Sequence, residues 1–285
     1  MIGMNKLGSR GRLGNQMFQY ASLVGISKNM GYEHCIPDHS NVQWFHKRDV
    51  NDNITTFNHQ LQHLFELNYL NGRFGFIDGY EVDVYQHEFC EELFNDCPDN
   101  SSLTGNFESY KYFENAEKEV REDFTFKSEI LEYATNFHKK HNTDNPVCLN
   151  VRRGDFIKFQ DHHPLCTEKY YLDCMNRLGK DRQYVVISDD INWCKNVFNG
   201  NNFIFCDEQK DEILKGHMDL CIGSLCSDFI ISNSTFSWWM AYLGNDSNKK
   251  IFIPDPWFGV KLNHLDTSGY YLPGSIVVKR DLVIV

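Results

Sequence analysis

The sequence predicts an α/β fold with a doubly wound parallel sheet in its C-terminal half. Short apolar runs alternate there with segments in which apolar residues recur at helical spacing. Such alternation is typical of parallel strands joined by helices that cover both faces of the sheet. Polar clusters directly after two of the runs are a second indication, because parallel sheets bind ligands at the carboxyl ends of their strands.

The predicted elements of this half follow one another at short intervals. Thr167 is a candidate N-cap for the first helix, and residues 188–190 precede the second. Apolar residues between 213 and 225 recur at helical spacing and predict a third helix. The apolar runs that predict strands lie at residues 147–151, 184–187, 203–205, 229–231 and 251–253, and a further helix is expected over residues 234–243.

The N-terminal half follows a less regular pattern. A glycine-rich segment, residues 8–14, leads into a predicted helix over residues 15–29, and residues 114–141 have a mainly helical pattern. The aromatic runs and turns between them give no readable order. The change of pattern near residue 143 predicts two domains, residues 1–142 and 143–285.

Composition limits the classes of protein to consider. The chain of 285 residues carries a formal net charge of −11, which argues against nucleic acid as a partner, because basic surfaces bind phosphate backbones. No apolar run is long enough to span a bilayer, and the first residues lack a secretory leader pattern. We therefore expect a cytoplasmic protein without an integral membrane segment, with peripheral membrane association left open. The ten scattered cysteines form no C-x-x-C pair, so we expect reduced, structural thiols and no metal site.

Two adjacent arginines follow the first apolar run of the C-terminal half. Arg152 and Arg153 precede Gly154 and Asp155 at the predicted carboxyl end of this strand. A guanidinium stays protonated, needs anionic company when enclosed, and matches phosphate oxygens bidentately. The position therefore predicts a pyrophosphate site, and pairing of Arg153 with a nearby carboxylate is the alternative.

A polar cluster follows the fourth apolar run. Asn233, Ser234, Thr235 and Ser237 stand at the predicted start of a helix, where hydroxyl and backbone N–H groups bind anions. An ordinary serine N-cap explains one hydroxyl and leaves the others unexplained. Asn15, directly after the glycine-rich segment, is a weaker candidate for contact with a phosphate or sugar, and a purely structural turn is the alternative there.

Six segments of the chain match one enzyme family in residue type and order. They are residues 11–21 (GRLGNQMFQYA), 105–109, 150–155, 166–171, 188–190 and 232–239. Together they resemble glycosyltransferase family 11, the family of the bacterial α-1,2-fucosyltransferases. The family motif H-x-R-R-G-D is matched by residues 150–155, with Asn150 in place of the histidine.

The resemblance implies a GT-B-like fold with two facing Rossmann-like domains, and an inverting enzyme that uses neither a metal nor a cofactor. It implies GDP-fucose as the donor, bound mainly by the C-terminal domain. The acceptor is then an oligosaccharide on the N-terminal side, modified at the 2-hydroxyl of galactose. The resemblance assigns donor binding to Arg152, Asp219, Ser234, Thr235 and Asn15, and it assigns stabilisation of the departing GDP to Arg152. From their places in the sequence we add Arg153, Asp189 and Asn233 to the expected donor site, and Asp155 to the expected catalytic residues.

Two of these residues have a second interpretation. By resemblance, Asp219 accepts hydrogen bonds from the guanine edge, but its spacing from Lys215 also allows an ion pair along a helix. Asn150 removes a titratable imidazole from the motif. Asparagine is tolerated at this position if the family histidine contacts the donor base mainly through its backbone. If the histidine ring itself makes contacts, asparagine changes the affinity for the donor or the choice of donor.

The general base and the donor are open as well. Asp155, Asp161, His162 and His163 are candidates for the base, and Asp155 is equally suited to a structural role. Charge builds on the leaving group during glycosyl transfer, and fixed arginines stabilise that charge as a metal ion otherwise does. The alternative functions are a transferase for another GDP-sugar or linkage, and an inactive nucleotide-sugar-binding protein.

Overall fold

The computed structural model describes residues 1–42, 46–48, 54–84, 88–179, 181–209 and 211–280. The chain divides into two compact units, Met1–Lys127 and Ser128–Val285. This division precedes the change of pattern near residue 143, because the helix before it packs within the C-terminal unit. His138 of that helix has its Nε2 atom 3.0 Å from the Ile222 carbonyl oxygen.

The N-terminal unit is built on a four-stranded parallel sheet with the order β2-β1-β6-β5, and a separate antiparallel pair, β3 and β4. Its strands are β1 (Ile2–Gly3), β2 (His34–Cys35), β3 (His46–Arg48), β4 (Ile54–Phe57), β5 (Tyr80–Val84) and β6 (Ser101–Gly105). Its helices are α1 (Leu13–Met30), α2 (Leu61–Leu64), α3 (Glu91–Asp96) and α4 (Glu117–Asp123). The helix predicted over residues 15–29 is thus α1, and it is buried along most of its length.

The C-terminal unit contains all the strands and helices predicted for it, and it adds one strand at the sheet edge. Its strands are β7 (Val147–Val151), β8 (Tyr184–Ser188), β9 (Phe203–Phe205), β10 (Asp228–Ile230), β11 (Ile251–Asp255) and β12 (Ile276–Lys279). Its helices are α5 (Ser128–Lys140), α6 (Glu168–Leu178), α7 (Ile191–Val197), α8 (Glu212–Ser224) and α9 (Thr235–Leu243).

The order of the six parallel strands is β12-β11-β10-β7-β8-β9. The chain begins in the centre at β7 and runs outward through β8 and β9. It then returns to the other side of β7 as β10 and continues outward to β12. This is the order of a dinucleotide-binding Rossmann sheet, in which ligands bind where the strand order reverses. The predicted doubly wound sheet is confirmed, and its switch point lies between β7 and β10.

Alternate residues of β7 pack into opposite faces of this sheet. Leu149 belongs to a buried cluster that includes Tyr171 and Cys174 of α6, whereas the Cys148 sulfur lies 3.7 Å from the sulfur of Met240 on α9. Full burial of an aliphatic side chain such as Leu149 stabilises a fold by about 1.5–3 kcal/mol. The central strands are therefore anchored from both sides, and their carboxyl ends are held in fixed positions.

No helix in the described part of the chain is long and apolar enough to cross a membrane.

Candidate functional site

The two polar clusters predicted separately from the sequence lie at the ends of neighbouring strands. β7 pairs with β10 in register from Val147 to Leu149. The turn that begins at Arg152 follows β7, and the cluster that begins at Ser232 follows β10. Because parallel strands end at the same edge of the sheet, the tertiary structure brings both clusters to the switch point.

Two carboxylates and an aromatic ring hold the guanidinium of Arg152. Its Nη1 atom lies 2.8 Å from Asp189 Oδ2, and its Nη2 atom forms an ion pair with Asp155. The guanidinium carbon stands 5.1 Å from the ring centroid of Phe156. The side chain of Arg152 keeps 20% of its surface exposed, so the guanidinium is both oriented and accessible from solvent.

The turn after β7 is fixed by Asp189 at the end of β8. Asp189 Oδ1 accepts a hydrogen bond of 2.8 Å from the backbone N–H of Arg153. A Cβ atom added to Gly154 would lie 2.4 Å from Asp189 Oδ2. The close approach of Asp189 therefore favours glycine at residue 154. Asp189 positions both the turn after β7 and the guanidinium of Arg152.

Arg153 makes the carboxylate pair that the sequence left open as an alternative. Its Nε donates to Asp190 Oδ2 at 3.0 Å, and its guanidinium carbon lies 4.2 Å from the Trp193 ring centroid. Asp190 also caps α7, because its Oδ1 accepts a hydrogen bond of 3.2 Å from the Trp193 backbone N–H. Arg153 therefore ties the turn after β7 to the start of α7.

Asn150 occupies the motif's histidine position and makes only internal contacts in the described structure. Its Oδ1 accepts a hydrogen bond of 2.8 Å from the Ser232 hydroxyl, and its Nδ2 lies 3.4 Å from the Ile187 carbonyl oxygen. The side chain is buried. Asn150 therefore links β7 to both neighbouring strands, and the neutral amide satisfies its hydrogen-bonding groups inside the unit.

The start of α9 differs from an ordinary serine N-cap. Ser234 has the extended backbone of a cap residue, but its side chain makes no capping hydrogen bond to α9 within the described structure. Ser234 and Thr235 are half-exposed. Ser237 is buried, and its hydroxyl donates to the carbonyl oxygens of Ser232 and Ser234, each at 2.9 Å. The first turn of α9 thus presents backbone N–H groups beside two hydroxyl-bearing residues, as an anion site requires.

Asn233 belongs to this cluster but turns its side chain into the unit. Its Nδ2 donates to the Trp257 carbonyl oxygen at 3.0 Å, and its Oδ1 lies 3.4 Å from Arg280 Nη1. The residue is 3% exposed. The Asn233 side chain therefore ties the loop after β11 to the chain directly before Ser234, the cap of α9.

Asp219 lies on α8 and forms the ion pair with Lys215 that helical spacing allowed. Lys215 Nζ also donates to the Cys206 carbonyl oxygen at 3.0 Å. Burial raises the pKa of Asp219 to about 6, and Lys215 opposes this rise. The residue borders a depression at the carboxyl end of β9, whose lining also includes Tyr133, Phe137, Cys206, Glu208, Gln209, Met218 and Ile222.

Asn15 stands at the switch point of the other sheet, in the N-terminal unit. Its Nδ2 donates to the carboxylate of Glu108, which follows β6, the neighbour of β1. Phe107 is buried and has a φ of 55°, which is a strained backbone conformation for an aromatic residue. Strained backbone conformations of this kind cluster at functional sites. Glu108 carries no sequence signal of its own beyond its place in the matched segment of residues 105–109.

The remaining candidates for the general base are engaged by neighbours. Asp161 pairs with Lys261, and its Oδ1 lies 2.8 Å from His162 Nδ1. These hydrogen bonds, chiefly that from Lys261, lower the pKa of Asp161, which weakens it as a base. His163 stacks on Phe156 with ring centroids 4.8 Å apart. The described residues contain no group of three or more histidine, cysteine or acidic side chains arranged to hold a metal ion.

Comparison with known sequences identifies relatives along nearly the whole chain. A family model described as glycosyl transferase family 11 matches residues 1–257. An α-1,2-colitosyltransferase of Escherichia coli is 30% identical over 280 residues, which cover 87% of this chain and 90% of that protein. Galactoside alpha-(1,2)-fucosyltransferase 2 of Bos taurus is 25% identical over 304 residues, covering 98% of this chain and 80% of that protein.

Solved structures with low sequence identity share the fold. POFUT1 in complex with GDP-fucose superposes with a TM-score of 0.56 at 11% identity, covering 88% of this chain and 97% of that one. The fucosyltransferase NodZ from Bradyrhizobium gives a TM-score of 0.53 at 12% identity, covering 84% of this chain and 91% of that one. The GT-B-like, mixed α/β fold expected from the sequence is confirmed.

Proposed function

Because the chain belongs to glycosyl transferase family 11, we propose that it transfers L-fucose from GDP-fucose to a sugar hydroxyl. The acceptor is an oligosaccharide, and the product is an α-1,2 linkage to galactose, as in the names of the fucosyltransferase relatives. One observation carries the proposal: Arg152 and the start of α9 both lie at the switch point of a Rossmann sheet.

In this proposal the donor diphosphate contacts Arg152, Ser234, Thr235 and the first N–H groups of α9. The fork of Arg152 and the helix start both favour phosphate oxygens. Diphosphate and Asp155 then compete for the same guanidinium, because Asp155 pairs with Arg152 in the described structure. Three further residues of the predicted donor site, Arg153, Asp189 and Asn233, act by holding these groups in place.

The reaction breaks the bond between fucose C1 and the β-phosphate oxygen, and the bonding electrons leave with GDP. The acceptor oxygen attacks C1 from the opposite face and gives up its proton to a base. Arg152 stabilises the charge that develops on GDP, an interaction worth on the order of 3 kcal/mol in related electrostatic sites. We assign the base role to Asp155, whose side chain is 46% exposed and which is released when diphosphate engages Arg152.

Asp219 is the proposed partner of the guanine base. An ionised carboxylate accepts hydrogen bonds from guanine N1 and N2, a pattern that adenine does not offer. The depression beside Asp219 supports this role, because it lies at the carboxyl edge of the same sheet. Asp219→Asn should raise the KM for the GDP-sugar more than it lowers kcat, and it should weaken the preference for GDP over ADP as an inhibitor. Unchanged GDP affinity and selectivity would place guanine elsewhere.

The N-terminal unit is the proposed acceptor side. The Asn15–Glu108 pair supports this role, because it places an amide and a carboxylate at the switch point of that unit's own sheet. Amide and carboxylate groups hydrogen-bond sugar hydroxyls well.

We also assign the enzyme to the cytoplasm. All ten cysteines are free, and nine of them are buried, which suits a reducing compartment. Peripheral attachment to a membrane is compatible with this assignment.

A second candidate donor is another GDP-sugar, GDP-colitose. The colitosyltransferase relative is 30% identical to this chain, against 25% for the bovine fucosyltransferase. Colitose is fucose without its 3-hydroxyl, so the two donors present the same GDP and differ at a single position of the sugar. The phosphate and guanine contacts proposed above serve both donors equally.

One experiment separates these functions. The purified chain is incubated with GDP-fucose, GDP-colitose, GDP-mannose or UDP-glucose and a galactose-terminated oligosaccharide, and the release of GDP or UDP and the product mass are measured. Transfer from GDP-fucose supports the proposal, and transfer from GDP-colitose alone selects the second candidate. Binding of GDP without transfer from any donor indicates an inactive nucleotide-sugar-binding protein. Arg152→Ala serves as the inactive control.

A further inference from the structure

Arg280 is a buried cation that neither the family motifs nor the proposed chemistry includes. It follows β12, beyond residues 1–257 matched by the family model. Only 8% of its surface is exposed. Its backbone N–H donates to the Asp255 carbonyl oxygen at 2.9 Å, so the main chain at residue 280 is fixed to the end of β11.

The guanidinium of Arg280 connects three segments of the C-terminal unit. On the loop after β11, Nη2 and Nε donate to the Pro256 carbonyl oxygen at 2.7 and 3.1 Å, and Nη2 lies 3.4 Å from the Trp257 carbonyl oxygen. Ahead of α6, Nη1 donates to the Pro164 carbonyl oxygen at 2.7 Å and lies 3.3 Å from the Cys166 sulfur. Nη1 also lies 3.4 Å from Asn233 Oδ1.

All of these partners are neutral. Within the described part of the chain, Arg280 forms no ion pair with a carboxylate. Asp255, which is close in the sequence and the fold, pairs with Lys279 and accepts a hydrogen bond from the Tyr271 hydroxyl at 2.7 Å, and Arg280 acts on this carboxylate only through its charge. A guanidinium does not lose its proton in a protein, and it presents five N–H donors in a planar fork. Arg280 therefore fixes neutral acceptors from separate segments in one place.

Asn233 connects this cation to the candidate diphosphate site. The Oδ1 atom of Asn233 accepts a hydrogen bond from Arg280 Nη1, and its Nδ2 atom donates to the Trp257 carbonyl oxygen. Both polar atoms of the side chain are therefore engaged. The next residue along the chain is Ser234, the cap of α9. A shift of Asn233 would therefore move the first turn of α9.

We propose that Arg280 is a positioning residue of the donor site: it holds Asn233 and the loop after β11 so that the start of α9 can bind diphosphate. This inference rests on the proposed function, because it takes the ligand at α9 to be a nucleoside diphosphate. Diphosphate binding should depend on Arg280, whereas contacts with the base and ribose should not.

The test compares the affinities of GDP and guanosine for the wild type, Arg280→Met and Arg280→Lys by calorimetry, with thermal unfolding measured in parallel. Arg280→Met should weaken GDP binding by about tenfold or more and leave guanosine binding unchanged. Lysine keeps the charge but not the fork, so Arg280→Lys should give an intermediate loss. Arg182→Met is the matched control, because Arg182 pairs with Asp228 at 2.8 Å near the amino ends of the strands, and it should leave GDP affinity unchanged.

Asn233→Asp provides a second variant in case Arg280→Met does not fold. It keeps the size of the side chain but replaces the Nδ2 donor to the Trp257 carbonyl oxygen with a carboxylate oxygen. The loop after β11 is then no longer held by Asn233, so GDP affinity should fall while the unit stays folded. Wild-type GDP affinity in the folded Arg280 and Asn233 variants overturns the inference, and so does an equal loss of GDP and guanosine. If the wild-type chain itself binds no GDP, the proposed function fails instead.

Discussion

Arg152 shows how single residues determine the proposed chemistry. Its ion pairs with Asp155 and Asp189 and its contact with Phe156 leave the guanidinium one orientation. Preorganised charge of this kind stabilises a transition state because it needs no rearrangement when the reaction occurs. These two carboxylates, together with Asp190 on Arg153, explain why two adjacent arginines are tolerated at the end of a buried strand.

Arg152→Ala should abolish transfer while the protein remains folded. Loss of a donor to developing charge costs on the order of 3 kcal/mol, which is a factor of about one hundred or more in turnover. Arg152→Lys should also turn over poorly, because an ammonium group does not reproduce the bidentate fork. Turnover is measured by GDP release and folding by circular dichroism. Near-wild-type turnover in a folded variant would contradict the diphosphate assignment.

Asp219 makes stability depend on pH in an unusual direction. Burial raises its pKa to about 6 in the folded chain, against about 3.9 in an unfolded one. The folded state thus binds this proton more tightly, so its contribution to stability is present below about pH 4 and is lost as the pH rises through 6. Asp219→Asn should therefore be more stable than wild type at pH 7 and equal to it near pH 4. Urea unfolding at both pH values checks this, and a difference that does not change with pH would contradict it.

At the scale of elements, the turn after β7 and the first turn of α9 are joined by side chains from the neighbouring strands. The Ser232 hydroxyl bonds to Asn150 across β7 and β10. Asp189 at the end of β8 bonds to the Arg153 N–H. The turn and the helix are consequently supported from three strands, which is how a rigid sheet holds ligand-binding groups in position.

Gly154→Ala should lower turnover without unfolding the protein. The added Cβ would stand 2.4 Å from Asp189 Oδ2, so Asp189 must move and release Arg152. Gly216→Ala is the matched control, because a Cβ there meets nothing within 4 Å and alanine in a helix is favoured over glycine by about 1 kcal/mol. That control should keep full activity and gain stability. Equal activity of the two variants in GDP-release assays would show that the Asp189 contact is dispensable.

At the scale of the whole molecule, the strand order assembles the proposed donor site. The two clusters at the switch point are separated by α6, β8, α7, β9, α8 and β10 along the chain. They become neighbours because β10 returns to pair with β7. Arg152 and the start of α9 thereby stand at the same edge of the sheet.

Transfer should continue in excess EDTA and should not increase when Mg²⁺ or Mn²⁺ is added. In the proposed mechanism, Arg152 and the first N–H groups of α9 stabilise the departing diphosphate, so no metal ion is needed. The measurement is GDP release after dialysis against chelator, compared with the same protein resupplied with metal. Complete loss on chelation, restored by either ion, would contradict the proposed mechanism.

Several features of this protein could be read from sequence because they depend on local chemistry. Apolar runs and helical spacing predicted the strands from β7 to β11 and the helices between them, since these patterns reflect burial on one or both faces. Arg152, Ser234 and Thr235 stood out because charged or hydroxyl residues directly after an apolar run have few structural explanations. The family resemblance rests on the same short segments.

Other features depend on contacts between residues that are distant along the chain, and these only the tertiary structure decided. Asp189 and Asp190, which pair with Arg152 and Arg153, follow the next strand, β8. The side chain of Asn233 is held inside the unit, where its Oδ1 lies 3.4 Å from Nη1 of Arg280, 47 residues later. Glu108 meets Asn15 across two neighbouring strands of the N-terminal sheet. Sequence determines which side chains each strand end carries, but strand order determines which ends are adjacent, because pairing between parallel strands is set by non-local packing.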